Sequence, residues 1–229
     1  IVALGEKSAI LHYQNKRNEN AQKEKNLLID AGCRINGYAS DITRTSVKMS
    51  IDSLFRDLLV GMEYVEHELV NLVKPGVGYP DLHSEALIKI GKLLLDHSIC
   101  FGSLEGLLNN EIPHLFMPHG VGHLLGVQVH DLGGHLKDIN GTIEAPPAHS
   151  PFLRNTRVMS ENMVFTVEPG CYFIPSLLEA QRNTKKGKLI NWRTIEQLYP
   201  YGGIRIEDNI LVTKDGPENL TRQFEAINS

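Results

Sequence analysis

The chain has 229 residues, 41% hydrophobic and 22% charged, the balance of one or two globular domains with a substantial core and not of a disordered chain. Its 23 Lys+Arg against 27 Asp+Glu give a net charge of −4, so it offers neither a basic stripe for nucleic acid nor a polybasic membrane patch. Apolar runs such as Leu93-Leu94-Leu95 fall far short of the ~18 residues of a spanning helix, and three scattered cysteines cannot frame a disulfide network, which points to a reducing compartment, the cytoplasm.

The chain opens at Ile1 inside a strand-like run, Ile1-Val2-Ala3-Leu4, and further sequence is expected upstream. A second strand-like run, Ala9 to Tyr13, precedes a polar segment from Gln14 to Lys25 that reads as a surface loop. Residues 27–33 and 38–47 read as two strands joined at Asn36-Gly37, the strongest short hairpin signal. Between 51 and 73, Leu54, Leu58, Met62, Val65, Leu69 and Leu72 recur every three to four residues, predicting an amphipathic helix closed by Lys74-Pro75-Gly76. Asp81 is expected to cap a second helix over 82–97, with Leu82, Ala86, Leu87, Ile90, Leu93 and Leu94 on one face. Segments 114–135, rich in Gly and His, and 143–157, with Pro146-Pro147 and Pro151, show no period and read as loops or short strands lining something. β-type residues return at 164–167, 170–174, 204–206 and 209–213, interrupted by a Lys- and Gln-rich insertion at 179–198. Strands, then helices, then strands, without βαβ alternation, predict an α+β fold.

Asp30 and Asp41 lie one on each arm of the predicted hairpin, and Glu168 and Glu207 follow late strand-like runs. A carboxylate in an apolar strand is expensive unless paired or metal-bound, and these four acids have no equal set of basic partners. They imply a cation; added imidazoles move the choice from Mg²⁺ or Ca²⁺ toward Mn²⁺, Fe²⁺, Co²⁺ or Zn²⁺. Five of the ten histidines fall between His114 and His135. His119 and His123 have the i, i+4 spacing of the zinc-protease helix, but Gly120 stands where that motif has Glu, so the motif is absent. His114, His135 and His149 read as solvated or structural, and His67, His83 and His97 as surface residues of helices.

Five motifs stand in order: Asp30-Ala31-Gly32 with Ser40-Asp41-Ile42-Thr43-Arg44-Thr45; Met117-Pro118-His119-Gly120-Val121-Gly122-His123; Val129-His130-Asp131; Val167-Glu168-Pro169-Gly170; and Gly202-Gly203-Ile204-Arg205-Ile206-Glu207-Asp208. In these the chain resembles the catalytic domain of the pita-bread metallopeptidases, and among them the prolidases, which are Xaa-Pro dipeptidases, ahead of the aminopeptidases P. The resemblance implies a pseudo-symmetric fold, a curved antiparallel sheet flanked by helices. It makes residues 1–229 the catalytic domain, with the family's first helices and N-terminal domain upstream of Ile1, and a homodimer when full length. Two divalent metals are implied, Mn²⁺ first, with Zn²⁺, Co²⁺ or Fe²⁺ as alternatives: Asp30 on one, Asp41 and Glu207 bridging, His123 and Glu168 completing the other. The implied reaction is hydrolysis of Xaa-Pro dipeptides to free proline by attack of a metal-bridging hydroxide. Glu168 would shuttle the proton and His130 would donate to the oxyanion and contact substrate. His12 would contact substrate too, Arg154 would take the substrate carboxylate with Arg157 as second choice, and Arg205, counted among the substrate-binding residues, would brace the site beside Glu207. The alternatives are an aminopeptidase P acting on longer peptides and a non-catalytic protein-binding module. Two departures from the family pattern are Asn209 in place of a second acid after Asp208, and Cys171 in place of an aliphatic residue.

Overall fold

The computed structural model describes residues 1–15 and 23–223. β1 (Val2–Leu4) is followed by a 3-10 helix, Gly5–Ala9, and a turn, where the residue pattern predicts a second strand. Gly5 at φ 55° starts the change of direction, and β1 already occupies the free edge of the next strand. The expected polar loop falls partly on residues 16–22, outside the described residues.

The hairpin forms in two stages. β2 (Asn26–Ala31) pairs antiparallel with β5 (Ile42–Val47) from Asn26↔Val47 to Ala31↔Ile42, and β3 (Arg34–Ile35) pairs with β4 (Tyr38–Ala39) beyond a break. Asn36 at φ 51° and Gly37 at φ 90° make the tight turn that residues with positive φ permit. At the break the two arms touch: a Cβ on Gly32 would lie 1.8 Å from the Ser40 carbonyl oxygen, so only glycine fits. Asp41 sits in that break and Asp30 one residue from the end of β2. The two acids are therefore not cross-strand neighbours; Asp30 pairs with Thr43.

The C-terminal half repeats the device. β6 (Val164–Val167) pairs with β9 (Asp208–Thr213), which also carries β10 (Gly216–Asn219); after a break, β7 (Gly170–Tyr172) pairs with β8 (Gly203–Arg205). Glu168 occupies one break and Glu207 the other. The halves join where Thr43 and Glu207 form a β-bridge and Thr45 Oγ1 exchanges hydrogen bonds with the Arg205 backbone, both at 3.1 Å.

Helices cover these ribbons. α1 (Ser53–Val70) begins at Asp52, whose carboxylate accepts from the Leu54 N–H, and buries Phe55, Leu58, Met62, Val65 and Leu69; Leu72 lies beyond it. α2 (Tyr79–Asp96) starts earlier than expected, with Gly78 at the cap, Pro80 at its start and Asp81 inside the first turn, where a carboxylate favours the helix dipole without capping it. Its predicted face is buried as expected. α3 (Leu104–Asn109) and α4 (Ile112–Phe116) pack on α2, while α5 (Pro175–Leu178) and α6 (Trp192–Leu198) give the region around the polar insertion a structure its composition hides. One contiguous core runs from α1 and α2 to the C-terminal ribbon through Phe55, Leu58, Tyr79, Phe165 and Ile206, with Val47 of the N-terminal ribbon packed against it; each such fully buried side chain contributes about 1.5–3 kcal/mol by leaving water. Among the described residues no helix is long and apolar enough to cross a membrane.

Candidate metal centre

The strand breaks matter because a regular ladder sends alternate side chains to opposite faces, whereas an interrupted one can aim neighbours at a common point. Asp41, Glu168 and Glu207, each in a break, and Asp30 beside one, converge on a cavity of about 830 Å³. Three overlapping sets have ligand atoms within 4.8 Å of one another: Asp30 with Asp41 and Glu207, His123 with Glu168 and Glu207, and Asp41 with His123 and His130.

His123 is the pivot. Its backbone N–H is held by Thr166 Oγ1 at 3.1 Å, and its Nδ1–H donates to the Leu124 carbonyl at 2.9 Å. A carbonyl only accepts, so the ring's proton position is fixed and Nε2 faces Asp41 Oδ2 at 3.7 Å, Glu168 Oε1 at 3.7 Å and Glu207 Oε1 at 4.0 Å. These distances are too long for hydrogen bonds. They match donors that share a cation, since metal–ligand lengths of ~2.1 Å leave adjacent donors about 3–4 Å apart.

The electrostatics agree. Burial, followed by repulsion among neighbouring acids, raises Glu207 well above the carboxylate range. Burial likewise lifts Glu168 to about 8, with Arg205 opposing and Asp41 and Asp30 adding to the rise. Asp30 is also raised by burial despite Arg205, while for Asp41 the penalty of burial is outweighed by His123, so that it ionises readily. Acids crowded until they hold protons against their nature are a site short of positive charge. Hard oxygens and one or two neutral imidazoles fit a divalent cation of the Mn²⁺ to Zn²⁺ series.

The remaining walls carry the other expected residues. Arg205 is 4% exposed and committed three ways: Nη2 to Asp30 Oδ2 at 2.6 Å, Nη1 to the Tyr172 hydroxyl at 3.1 Å and Nε to Thr43 Oγ1 at 3.2 Å. His130 stands edge-on to His123, centroids 4.4 Å apart; burial, then His123 and Arg154, push it down to about 4, so it is neutral at pH 7. His12 and Arg154 line the same cavity, whereas Arg157 does not. His119, to which the sequence assigns no role, lines it too. Its Nδ1–H donates to the Gly120 carbonyl at 2.7 Å and its Nε2 accepts from the Tyr172 hydroxyl at 2.9 Å, ending a chain that starts at Arg205. Its one sequence signal is its place four residues before His123, and no helix holds that pair. His83, expected on a surface, is 3% exposed.

Paired broken ribbons around one acid-and-imidazole cluster define the pita-bread fold of the metallopeptidase class. Residues 1–214 match metallopeptidase family M24, and the chain belongs to that family. It is 46% identical over 224 residues to a protein named Xaa-Pro dipeptidase from Shewanella halifaxensis, covering 98% of this chain and 50% of that protein. An Xaa-Pro dipeptidase from Shewanella pealeana is 47% identical over 225 residues, again covering 98% and 50%. The chain thus spans about half the length of the curated relatives it matches. Among solved structures it resembles the zinc-substituted aminopeptidase P of Escherichia coli in complex with product, at a TM-score of 0.74 and 30% identity over 97% of this chain and 43% of that one. Proline aminopeptidase P II from Yersinia pestis gives 0.75 and 30%, over 97% and 44%.

Proposed function

We propose that this chain carries the catalytic centre of a dinuclear-metal Xaa-Pro dipeptidase. The observation that carries the reading is His123 Nε2, its ring fixed by Leu124, facing three carboxylates beyond hydrogen-bonding range. Asp30, Asp41, His123, Glu168 and Glu207 would hold two divalent cations, Mn²⁺ by family resemblance, with Zn²⁺, Co²⁺ and Fe²⁺ as alternatives. Bound there, the cations supply Lewis acidity, acidifying water and polarising a peptide carbonyl.

The chain's own residues divide the remaining work. Glu168, on the cavity wall beside His123, takes and returns the proton. His130, neutral and beside His123, donates a hydrogen bond where negative charge develops on the carbonyl oxygen. Arg154 lines the cavity and takes the free carboxylate of a dipeptide, and His12, which lines the same cavity, is a second substrate contact. Arg205 braces: its nitrogens hold Asp30, Thr43 and Tyr172, so it serves the substrate through the site and not by direct contact.

Dipeptidase activity is favoured over aminopeptidase P because identity rises from 30% with the solved aminopeptidases P to 46% with the Xaa-Pro dipeptidases. The intact donor set speaks against a non-catalytic binding module. The test is release of glycine from Gly-Pro and from Gly-Pro-Ala, leaving proline and Pro-Ala respectively, on metal-stripped protein with and without Mn²⁺. Metal-dependent cleavage confined to the dipeptide is the expected result. Cleavage of the tripeptide moves the assignment to aminopeptidase P, and metal-loaded protein inert on both overturns the reading.

A further inference from the structure

Behind the catalytic cavity lies a smaller one of about 170 Å³, and the two share a wall formed by His119, Gly120 and residues 151–153. At its back, one hydroxyl joins two imidazoles: Ser150 Oγ lies 3.0 Å from His83 Nε2 on α2 and 3.2 Å from His114 Nε2 on α4. A hydroxyl has one hydrogen, so it donates to one ring at most and the other ring must donate to it. The Nδ1 atoms of both rings are buried without a hydrogen-bond partner among the described residues, which makes Ser150 the single polar anchor of each. Burial pushes His83 down to about 3 and lowers His114, so both rings are neutral at physiological pH and this joint does not open by titration there.

The segment after Ser150 is held at each step. The Ser150 carbonyl accepts the Leu153 N–H at 3.1 Å, and the Leu153 carbonyl accepts from His135 Nε2 at 2.9 Å. The backbone then threads between two glycines: a Cβ on Gly120 would meet Leu153 Cα at 2.9 Å, and one on Gly134 would meet the Arg154 carbonyl oxygen at 2.1 Å. Leu153 is buried, while the exposed side chains of Phe152 and Arg154 line the catalytic cavity together with Pro151.

We propose that His83, His114 and Ser150 form a clamp that positions Arg154 and thereby sets the enzyme's preference for a substrate ending in a free carboxylate directly after proline. They are positioning residues, acting through the loop without touching substrate, and the inference rests on the reading of Arg154 given above. Moving Ser150 away from the two rings shifts the start of a segment whose end carries the guanidinium, and misplacement of about 1 Å is enough to weaken a bidentate contact severely.

The experiment compares Ser150→Ala, Ser150→Thr and Arg154→Ala with the parent chain, all metal-loaded. It measures KM and kcat for Gly-Pro and for Gly-Pro amide, metal content, and the affinities for proline and prolinamide by calorimetry. Ser150→Ala should raise KM for the acid about tenfold with kcat and metal content little changed. The amide should be unaffected, so that acid-over-amide preference collapses toward that of Arg154→Ala, and Ser150→Thr, which keeps the hydroxyl, should restore it. A parent-like preference in Ser150→Ala alongside its loss in Arg154→Ala overturns the clamp and leaves the reading of Arg154 standing. Preference retained in Arg154→Ala overturns both. If Ser150→Ala does not fold, His114→Gln on the half-buried ring takes its place, and an unchanged proline-to-prolinamide ratio there counts against the clamp even if neither substrate is cleaved.

Discussion

Thr43 and Glu207, from opposite halves of the chain, are bound twice: Thr43 Oγ1 donates to Glu207 Oε2 at 2.7 Å, and the Glu207 N–H donates to the Thr43 carbonyl at 3.0 Å. The first bond uses one carboxylate oxygen and leaves Oε1 turned toward His123. The second fixes the backbone from which the carboxylate springs. Thr43 is fully buried and also receives Arg205 Nε, so the orientation of Glu207 is determined from both sides of the seam between the ribbons.

Thr43→Val keeps the shape and removes the hydroxyl. Outer partners of metal ligands are commonly worth about 10–100-fold in metal affinity, and a loss in that range is expected when the variant competes with a chelator for Mn²⁺. Thr43→Ser should hold the parent's affinity. Equal affinities for all three proteins would show that the β-bridge alone orients Glu207.

Metal loading should depend on pH with a definite sign. In the metal-free protein Glu168 titrates at about 8 and so carries a proton at pH 7 that a cation must displace, and burial shifts Glu207 in the same direction. Apparent affinity then rises with pH up to about 8, and calorimetry in buffers of different ionisation enthalpy should detect proton release. The same shift sets stability: between the ordinary value of 4.5 and about 8, the metal-free native state holds a proton on Glu168 that the unfolded chain gives up. Metal-free protein should therefore lose thermal stability as pH rises through that window, and saturating Mn²⁺ should flatten the curve.

How much of this is legible in the sequence depends on how local each signal is. Asn36-Gly37 dictates its turn through positive φ, and α2's face follows from spacing alone, so both are readable. The sheet positions of Asp30 and Asp41 are not. The hairpin breaks where Gly32 meets Ser40, a contact between residues apart in sequence, and the break turns Asp41 out of the ladder. His83 looks like a surface residue because one His on a polar helix turn carries no mark of burial; its partner Ser150 lies 67 residues away. His119 escapes notice for a related reason, since one of its two ring contacts is Tyr172, 53 residues away.

Glu66 offers a test remote from the cavity wall. It is fully buried on α1, with Oε2 accepting from Arg222 at 3.1 Å, and burial together with the nearby Asp208 raises it to about 8. Below that value it is neutral, and glutamine imitates it. Above it the native state must ionise a buried acid that the unfolded chain ionised long before, so stability falls by about 1.4 kcal/mol per pH unit through the window from 4.5 to 8. Glu66→Gln should match the parent near pH 5 and exceed it by a few kcal/mol near pH 9. Urea titrations at the two pH values measure the difference, and parallel curves would place the ionised carboxylate at no cost beside Arg222.

Two glycines with positive φ, Gly37 and Gly122, should respond very differently to an added methyl group. Gly37, at φ 90° in the hairpin turn, has nothing within 4 Å of the place a Cβ would take, so Gly37→Ala should cost only the backbone strain, about 1 kcal/mol. Gly122, at φ 153°, differs because a Cβ there would meet the Thr166 carbonyl oxygen at 2.2 Å and the Tyr79 hydroxyl at 2.3 Å. Those two atoms are bonded to each other at 2.6 Å and fully buried, so neither can withdraw. The strain must pass to the neighbouring residue, His123, whose N–H is tied to Thr166 Oγ1. Gly122→Ala should therefore lose about 3 kcal/mol of stability and, where it remains folded, bind metal at a fraction of the parent's stoichiometry. Gly37→Ala should bind it in full. Elemental analysis of both variants after identical loading decides the point, and full occupancy in Gly122→Ala would mean that His123 can be displaced without disturbing the centre it is held to serve.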